Sequence, residues 1–246
     1  MGHLADASWR RRRYGMDMDI SMKGNRVKAG LLHWIAGAGP LIFLAVATVE
    51  GSLRAGYDPI AEPISALALG PRGWVQEANF ALLAASFLSF AAVLRKELRE
   101  GAASVAGPGV IVLMAIGTFL SGAFTMDAPG TPATLVGRLH MVAGFLAVPS
   151  MPVVLLLVAR RFRRDARWRP YFACTVATGL YCLATLVFFL LFVGPPDAGP
   201  RAFPGLVGAV QRLLLFPFLV WMALVARRAH LSKRATVAPA PARSAC

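Results

Sequence analysis

His140, Asp127 and Ser121 are the residues of this 246-residue chain whose types and order would support proton transfer or nucleophilic attack. Imidazole is a general base near neutral pH, a serine hydroxyl is a nucleophile once its proton is taken, and a carboxylate orients the base. Arg138 and Arg212 would then steady a developing anion. Helical spacing sets a competing reading beside this one. Ser121 belongs to Gly117-xxx-Ser121-xxx-Thr125, and His140 shares a stripe with Gly137, Gly144 and Ala147. Small residues at such intervals let membrane helices approach closely. The stripe therefore predicts His140 packed against a neighbouring helix with little room beside it, and Arg138, about 200° away around the helix, on a different face. Metal and redox chemistry find no support. Cys174 and Cys182 lie about 12 Å apart along one helix, too far for a disulfide, and Cys246 stands alone in the tail. With four histidines and no ligand-like cysteine spacing, no metal and no cofactor is expected. His33 and His140 fall near opposite ends of their spans, so they cannot both ligate one haem iron.

The elements that must position these residues are membrane spans. Apolar stretches at 30–49, 78–94, 105–125, 140–159, 171–193 and 206–226 each approach the roughly 20 residues that a helix needs to cross hydrocarbon. Composition agrees: 57% hydrophobic, 15% charged, mean hydropathy +0.60. The expected fold is all-α, a polytopic bundle of six transmembrane helices at residues 30–229. A basic N-terminal segment 1–29 precedes it and a tail 230–246 follows, both disordered by composition. The net charge of +14 does not indicate nucleic acid, because the basic residues sit beside span ends. Arg10–Arg13, Lys23, Arg26 and Lys28 precede the first span. Arg95, Lys96 and Arg99 follow the second, Arg160 to Arg169 follow the fourth, and Arg227, Arg228, Lys233, Arg234 and Arg243 follow the sixth. By the positive-inside rule this alternation puts both termini in the cytoplasm of a cell-membrane protein, with the remaining connections outside. Met1, Met16, Met18 and Met22 are alternative starts, and the length of span 30–49, with Pro40 inside it, favours a retained helix over a cleaved signal.

The longest connection, 50–77, is external. Within it Glu62-Pro63-Ile64-Ser65-Ala66-Leu67-Ala68-Leu69-Gly70-Pro71 reads as a short helix lying on the bundle, opened by Pro63 and stopped by Gly70-Pro71. Trp74 then anchors at the interface, and Gln76, Glu77 and Asn79 enter the next helix. Thr131-Pro132 reads as the cap and first residue of the fourth helix. Glu62, Trp74, Gln76, Glu77, Asn79, Arg138, Gln211 and Arg212 thus converge on the outer face as a polar cluster. Arg212, flanked by Leu213, Leu214 and Leu215, requires a partner at that depth, and Glu62, Glu77 and Asp127 are the carboxylates placed to supply it.

The runs Asp58 to Phe80, Phe124 to His140 (Phe-Thr-Met-Asp-Ala-Pro-Gly-Thr-Pro…Gly-Arg-Leu-His) and Gly208 to Arg212 resemble, in order and side, the domain of unknown function 998 family. The resemblance covers roughly residues 30–230 and implies a small multi-span prokaryotic membrane protein with no assigned activity. At Thr125-Met126 the chain departs from the family's usual Pro-Thr/Ala before Asp127. The polar cluster is then either structural or a site for a lipid headgroup or small polar ligand, in a protein whose constant partner is the lipid bilayer. A membrane-embedded hydrolase or transferase is the second reading. A small-solute transporter is the third, prompted by Pro149-Ser150-Met151-Pro152 in the middle of the fourth span, where broken helices serve transporters.

Overall fold

The computed structural model describes residues 30–98, 103–194 and 202–237. Segment 1–29 and residues 238–246 of the tail therefore lie outside the described residues, as do Arg99 and Arg201. Among the described residues seven α-helices form: α1 Gly30–Leu53, α2 Gly73–Glu97, α3 Ala103–Ala123, α4 Leu135–Ala147, α5 Ser150–Phe162, α6 Phe172–Phe188 and α7 Val207–Val237. Helices α4 and α5 are the two halves of one span, Leu135–Phe162, so among the described residues six helical units are long and apolar enough to cross a membrane. Helix α7 continues past the expected end at residue 229, and α2 begins at Gly73 rather than near residue 78. The bundle has two ends. One, the loop face, carries residues 54–72, 124–134 and 202–206. The other, the basic face, carries the start of α1, the ends of α2 and α7, and residues 163–168.

Large apolar side chains such as Leu41, Ile42, Phe119, Val142, Phe145 and Leu191 face outward along the spans. A soluble protein would leave such a surface unsatisfied, whereas lipid tails solvate it. Inside, α2 and α7 share an aromatic ladder, with Phe87 edge-on to Phe218 (6.1 Å) and Phe90 edge-on to Trp221 (5.6 Å). Trp221 Nε1 donates to Thr175 Oγ1 at 2.9 Å and ties α7 to α6. Where α3 meets α4, a methyl on Gly117 would run into the Ala143 carbonyl, so only glycine permits that approach. At the basic face Trp168 stacks on Phe162 (4.8 Å between centroids), and Arg167 bonds Asp165 and the Glu97 carbonyl. Burial opposes charge on Asp165, yet the Arg167 bonds prevail and hold its carboxyl below the usual range.

The break in the fourth span follows from two prolines. Pro149 and Pro152 have no N–H to give to Phe145 and Val148, and each ring crowds the carbonyl four residues back. The orphaned groups find local substitutes: Met151 N donates to Val148 O (3.2 Å) and Ser150 Oγ to Leu146 O (2.7 Å). Below the break α5 packs on α3 and α6. Above it α4 keeps its packing on α3 but has no comparable packing with α6 or α7. Pro40 and Pro217, by contrast, stay inside continuous helices.

Candidate functional site

The segment after α1 returns across the loop face and is fixed there by side chains that bind its backbone. Residues Ile64–Ala68 form a 3-10 helix whose five residues are all buried, so this element is inserted among the helices rather than lying on them. Inserted backbone must find partners. Gln211 Oε1 accepts from Ile64 N at 2.7 Å, Ala209 N donates to Ile60 O at 2.9 Å, and Arg54 donates to Ala66 O at 2.7 Å. Arg212 holds the most. Its Nη1 is shared among the carbonyls of Pro59 (2.7 Å), Glu62 (3.1 Å) and Gly208 (3.0 Å), while Nη2 donates to Tyr57 Oη at 2.6 Å. Tyr57 Oη lies 3.1 Å from the Pro63 carbonyl, to which it donates. Burial pushes the Tyr57 phenol above its ordinary pKa, against the Arg212 bond, so it stays a donor. The expected carboxylate partner of Arg212 is thus replaced, among the described residues, by main-chain oxygens. The Glu62 carboxylate instead accepts from Asp58 N at 3.2 Å. Loop and helix meet so closely at Gly208 that an added methyl would strike the Glu62 carbonyl.

His140, Ser121 and Asp127 are neighbours but do not form a relay. His140 Nδ1 lies 3.0 Å from Ser121 O and 2.8 Å from Phe124 O, the carbonyls that the end of α3 leaves unpaired. Carbonyls only accept, so Nδ1 carries the proton and Nε2 is the ring's acceptor. The Ser121 hydroxyl donates back to Gly117 O at 2.9 Å. Asp127 accepts from Thr134 Oγ1 (2.7 Å) and Thr134 N (2.9 Å), and Thr134 Oγ1 accepts from Gly137 N. Those bonds, side chain first, hold the Asp127 carboxyl below its usual pKa. They also move the start of α4. Thr134 is the cap, three residues after the predicted Thr131, because Asp127 secures it in place.

A cavity of about 140 Å³ lies between α4, α6 and α7, where α4 lacks close packing on the other two. Its walls are apolar: Met141, Gly144 and Phe145 on α4, Val148 and Pro149 at the break, Leu186 on α6, and Val210 and Leu214 on α7. Phe189 and Leu190 close it from Phe189–Val193, a π-helical turn that extends α6 to Gly194 (φ 66°). Such turns recur beside ligand sites. The polar groups in the lining are those of Ser65, His140 and Gln211, together with main-chain atoms. Phe145 is 54% exposed and Leu190 39%, so the mouth opens sideways, where lipid would be. Gly144 has nothing within 4 Å of the place a Cβ would take. The predicted tight face is therefore packed at Gly137, His140 and Ala147 and open at Gly144.

A family model described as Protein of unknown function (DUF998) matches residues 37–228, a region that contains all three sequence motifs. The chain belongs to the DUF998 family. No curated protein and no solved structure matches it. The six apolar spans make this DUF998 protein a multi-pass membrane protein, and the match leaves its chemistry to the geometry.

The other sequence-predicted site residues of the DUF998 protein are scattered around the cavity rather than gathered in it. Gln76 and Asn79 are buried on α2 facing α1. Asn79 Nδ2 donates to Phe43 O (3.1 Å) and lies 3.3 Å from Gln76 Oε1, and Gln76 Nε2 and Asn79 Oδ1 have no partner among the described residues. Trp74 is exposed at the loop face, as an interfacial anchor would be. Glu77 is half-buried where α2 meets α3, and neither lines the cavity. Arg138 and Asp127 flank a separate hollow of about 60 Å³. Tyr57, Ser65, Met126 and Met141 are not among the site residues expected from sequence. Ser65 Oγ donates to Met126 Sδ at 3.3 Å across 61 residues of chain, a contact with no local signal.

Proposed function

We propose that this DUF998 protein binds an amphipathic membrane molecule in the lateral cavity beside α4, with its apolar part between α4 and α6 and its polar end toward Ser65, His140 and Gln211. The observation that carries this is the pairing of an apolar, sideways-open cavity with a polar rim at one end. At about 140 Å³ it resembles in size the roughly 150 Å³ apolar cavity that accepts benzene. It suits one segment of a chain or ring rather than a whole lipid. The charge pattern favours a cytoplasmic basic face in the cell membrane, which puts the cavity in the outer leaflet.

The charged cluster around Arg212 then has a structural role: it clamps the loop that forms the cavity's lid. Supporting this, every close partner of Arg212 among the described residues is main chain or Tyr57. The hydrolase or transferase reading draws no support from the Ser121 and Asp127 bonds, which point away from His140 chemistry. The broken span that suggested transport serves here to open the cavity.

The test is Gly144→Leu. Open space at Gly144 admits the side chain, and leucine favours helix over glycine by roughly 0.5–1 kcal/mol, so folding is preserved while the cavity fills. A photoreactive acyl chain in nanodiscs should label peptides of α4 and α6 in the wild type and lose that labelling several-fold in Gly144→Leu. Equal labelling of both proteins, with unchanged melting, would remove the cavity as the site.

A further inference from the structure

We infer that the molecule taken by this cavity carries an uncharged hydroxyl head, making it a long-chain alcohol rather than a phosphate or carboxylate amphiphile. The inference rests on the reading of the cavity as an amphiphile site and names the chemistry of its polar end. An apolar chain leaving the bilayer for an apolar cavity exchanges one hydrocarbon environment for another, so the chain confers little selectivity. Selection falls to the few polar groups at the rim, where an unmatched donor or acceptor is costly in a dry site.

Among the described residues no Arg, Lys, Asp or Glu lines the cavity, and the guanidinium of Arg212 is engaged by three carbonyls and Tyr57. An anionic head would therefore enter without a counter-charge, which burial penalises heavily. The hydrogen-bonding directions narrow the choice further. His140 lines the cavity and has Nδ1–H fixed on Ser121 O and Phe124 O, so in that tautomer its other ring nitrogen, Nε2, is an acceptor for a ligand's donor. Gln211 is fixed in the opposite sense. Its Oε1 faces Ile64 N–H, which leaves the Nε2 amide as a donor with no partner among the described residues. Ser65 gives its proton only to a thioether, a weak acceptor that a better one would displace. A hydroxyl both donates and accepts, so it answers His140 and Gln211 alike. An ether or ester only accepts and would leave Nε2 facing oxygen, and an ionised phosphate would do so with charge.

Three photoreactive probes of identical chain decide the matter in protein reconstituted in neutral-lipid nanodiscs: a terminal alcohol, its methyl ether and its phosphate monoester. The alcohol should label α4 and α6 peptides at least tenfold more than either of the others. In His140→Asn the amide nitrogen can replace Nδ1–H against the α3 carbonyls while the Nε2 acceptor is lost. Alcohol labelling should then fall to the level of the ether, with melting little changed. If the ether or phosphate labels the wild type as well as the alcohol does, and Gly144→Leu still abolishes labelling, the hydroxyl assignment fails and the cavity reading stands. If labelling is absent, or survives Gly144→Leu, both fail. The wild-type comparison of alcohol and ether is decisive even if His140→Asn does not fold.

Discussion

Replacing Arg212 by Gln and, separately, Glu62 by Gln distinguishes a clamp on main-chain oxygens from an ion pair. Arg212 joins α7 to the loop through the Pro59 and Glu62 carbonyls and through Tyr57, whereas its bond to Gly208 O stays within one helix. Charge-assisted hydrogen bonds contribute roughly 1.5–3 kcal/mol each in proteins. Arg212 is only half-buried, and freed loop carbonyls regain water, so the low end applies. Two such bonds with the Tyr57 contact give about 3 kcal/mol for Arg212→Gln, or roughly 6–12 °C of melting temperature for a chain of this length. Arg212→Lys keeps the charge but not the planar fork and should lose about half as much. Glu62→Gln touches only an exposed bond from Asp58 N and should stay within about 0.5 kcal/mol of wild type. The assay is thermal exposure of the buried Cys182 thiol to a fluorogenic reagent in detergent, with exposed Cys174 and tail Cys246 replaced by Ser. The clamp is wrong if Arg212→Gln melts with the wild type, or if Glu62→Gln falls as far as Arg212→Gln.

Asp127 adds a pH signature. Its folded carboxyl pKa lies below the ordinary 3.8, so the stability it contributes is complete above that value and is lost as pH falls through the lower folded one. The melting difference between wild type and Asp127→Asn should therefore be flat above about pH 5 and shrink below about pH 4; a difference that instead changes through neutrality would refute the Thr134 assignment. Reporter fusions at Gly101 and Arg167 should read cytoplasmic and one at Gly199 external, by the distribution of basic residues. A cytoplasmic signal at Gly199 would invert the protein and move the cavity to the inner leaflet.

The spans, their order and the break in the fourth were legible in the chain because each is a local property. About twenty apolar residues specify a membrane helix whatever surrounds them, and Pro149 and Pro152 remove hydrogen bonds from their own helix. The grouping of Glu62, Gln211 and Arg212 at one end followed from counting residues along those spans. The identity of the bonds did not. Arg212 was expected to meet a carboxylate because side-chain charges are visible in a sequence and carbonyl directions are not. Only the folded turn at 59–62 aims two main-chain oxygens at one guanidinium. Likewise Thr134 rather than Thr131 caps α4 because Asp127 reaches it through a loop whose path no propensity sets. Gly144 repeats the spacing of Gly137 and Ala147, yet it faces a cavity while they are packed, since α4 above the break has no comparable packing with α6 or α7. Periodicity determined which residues share a face of the fourth span, and the packing of its two halves, α5 on α3 and α6 but α4 on α3 alone, decided whether that face meets protein or empty space.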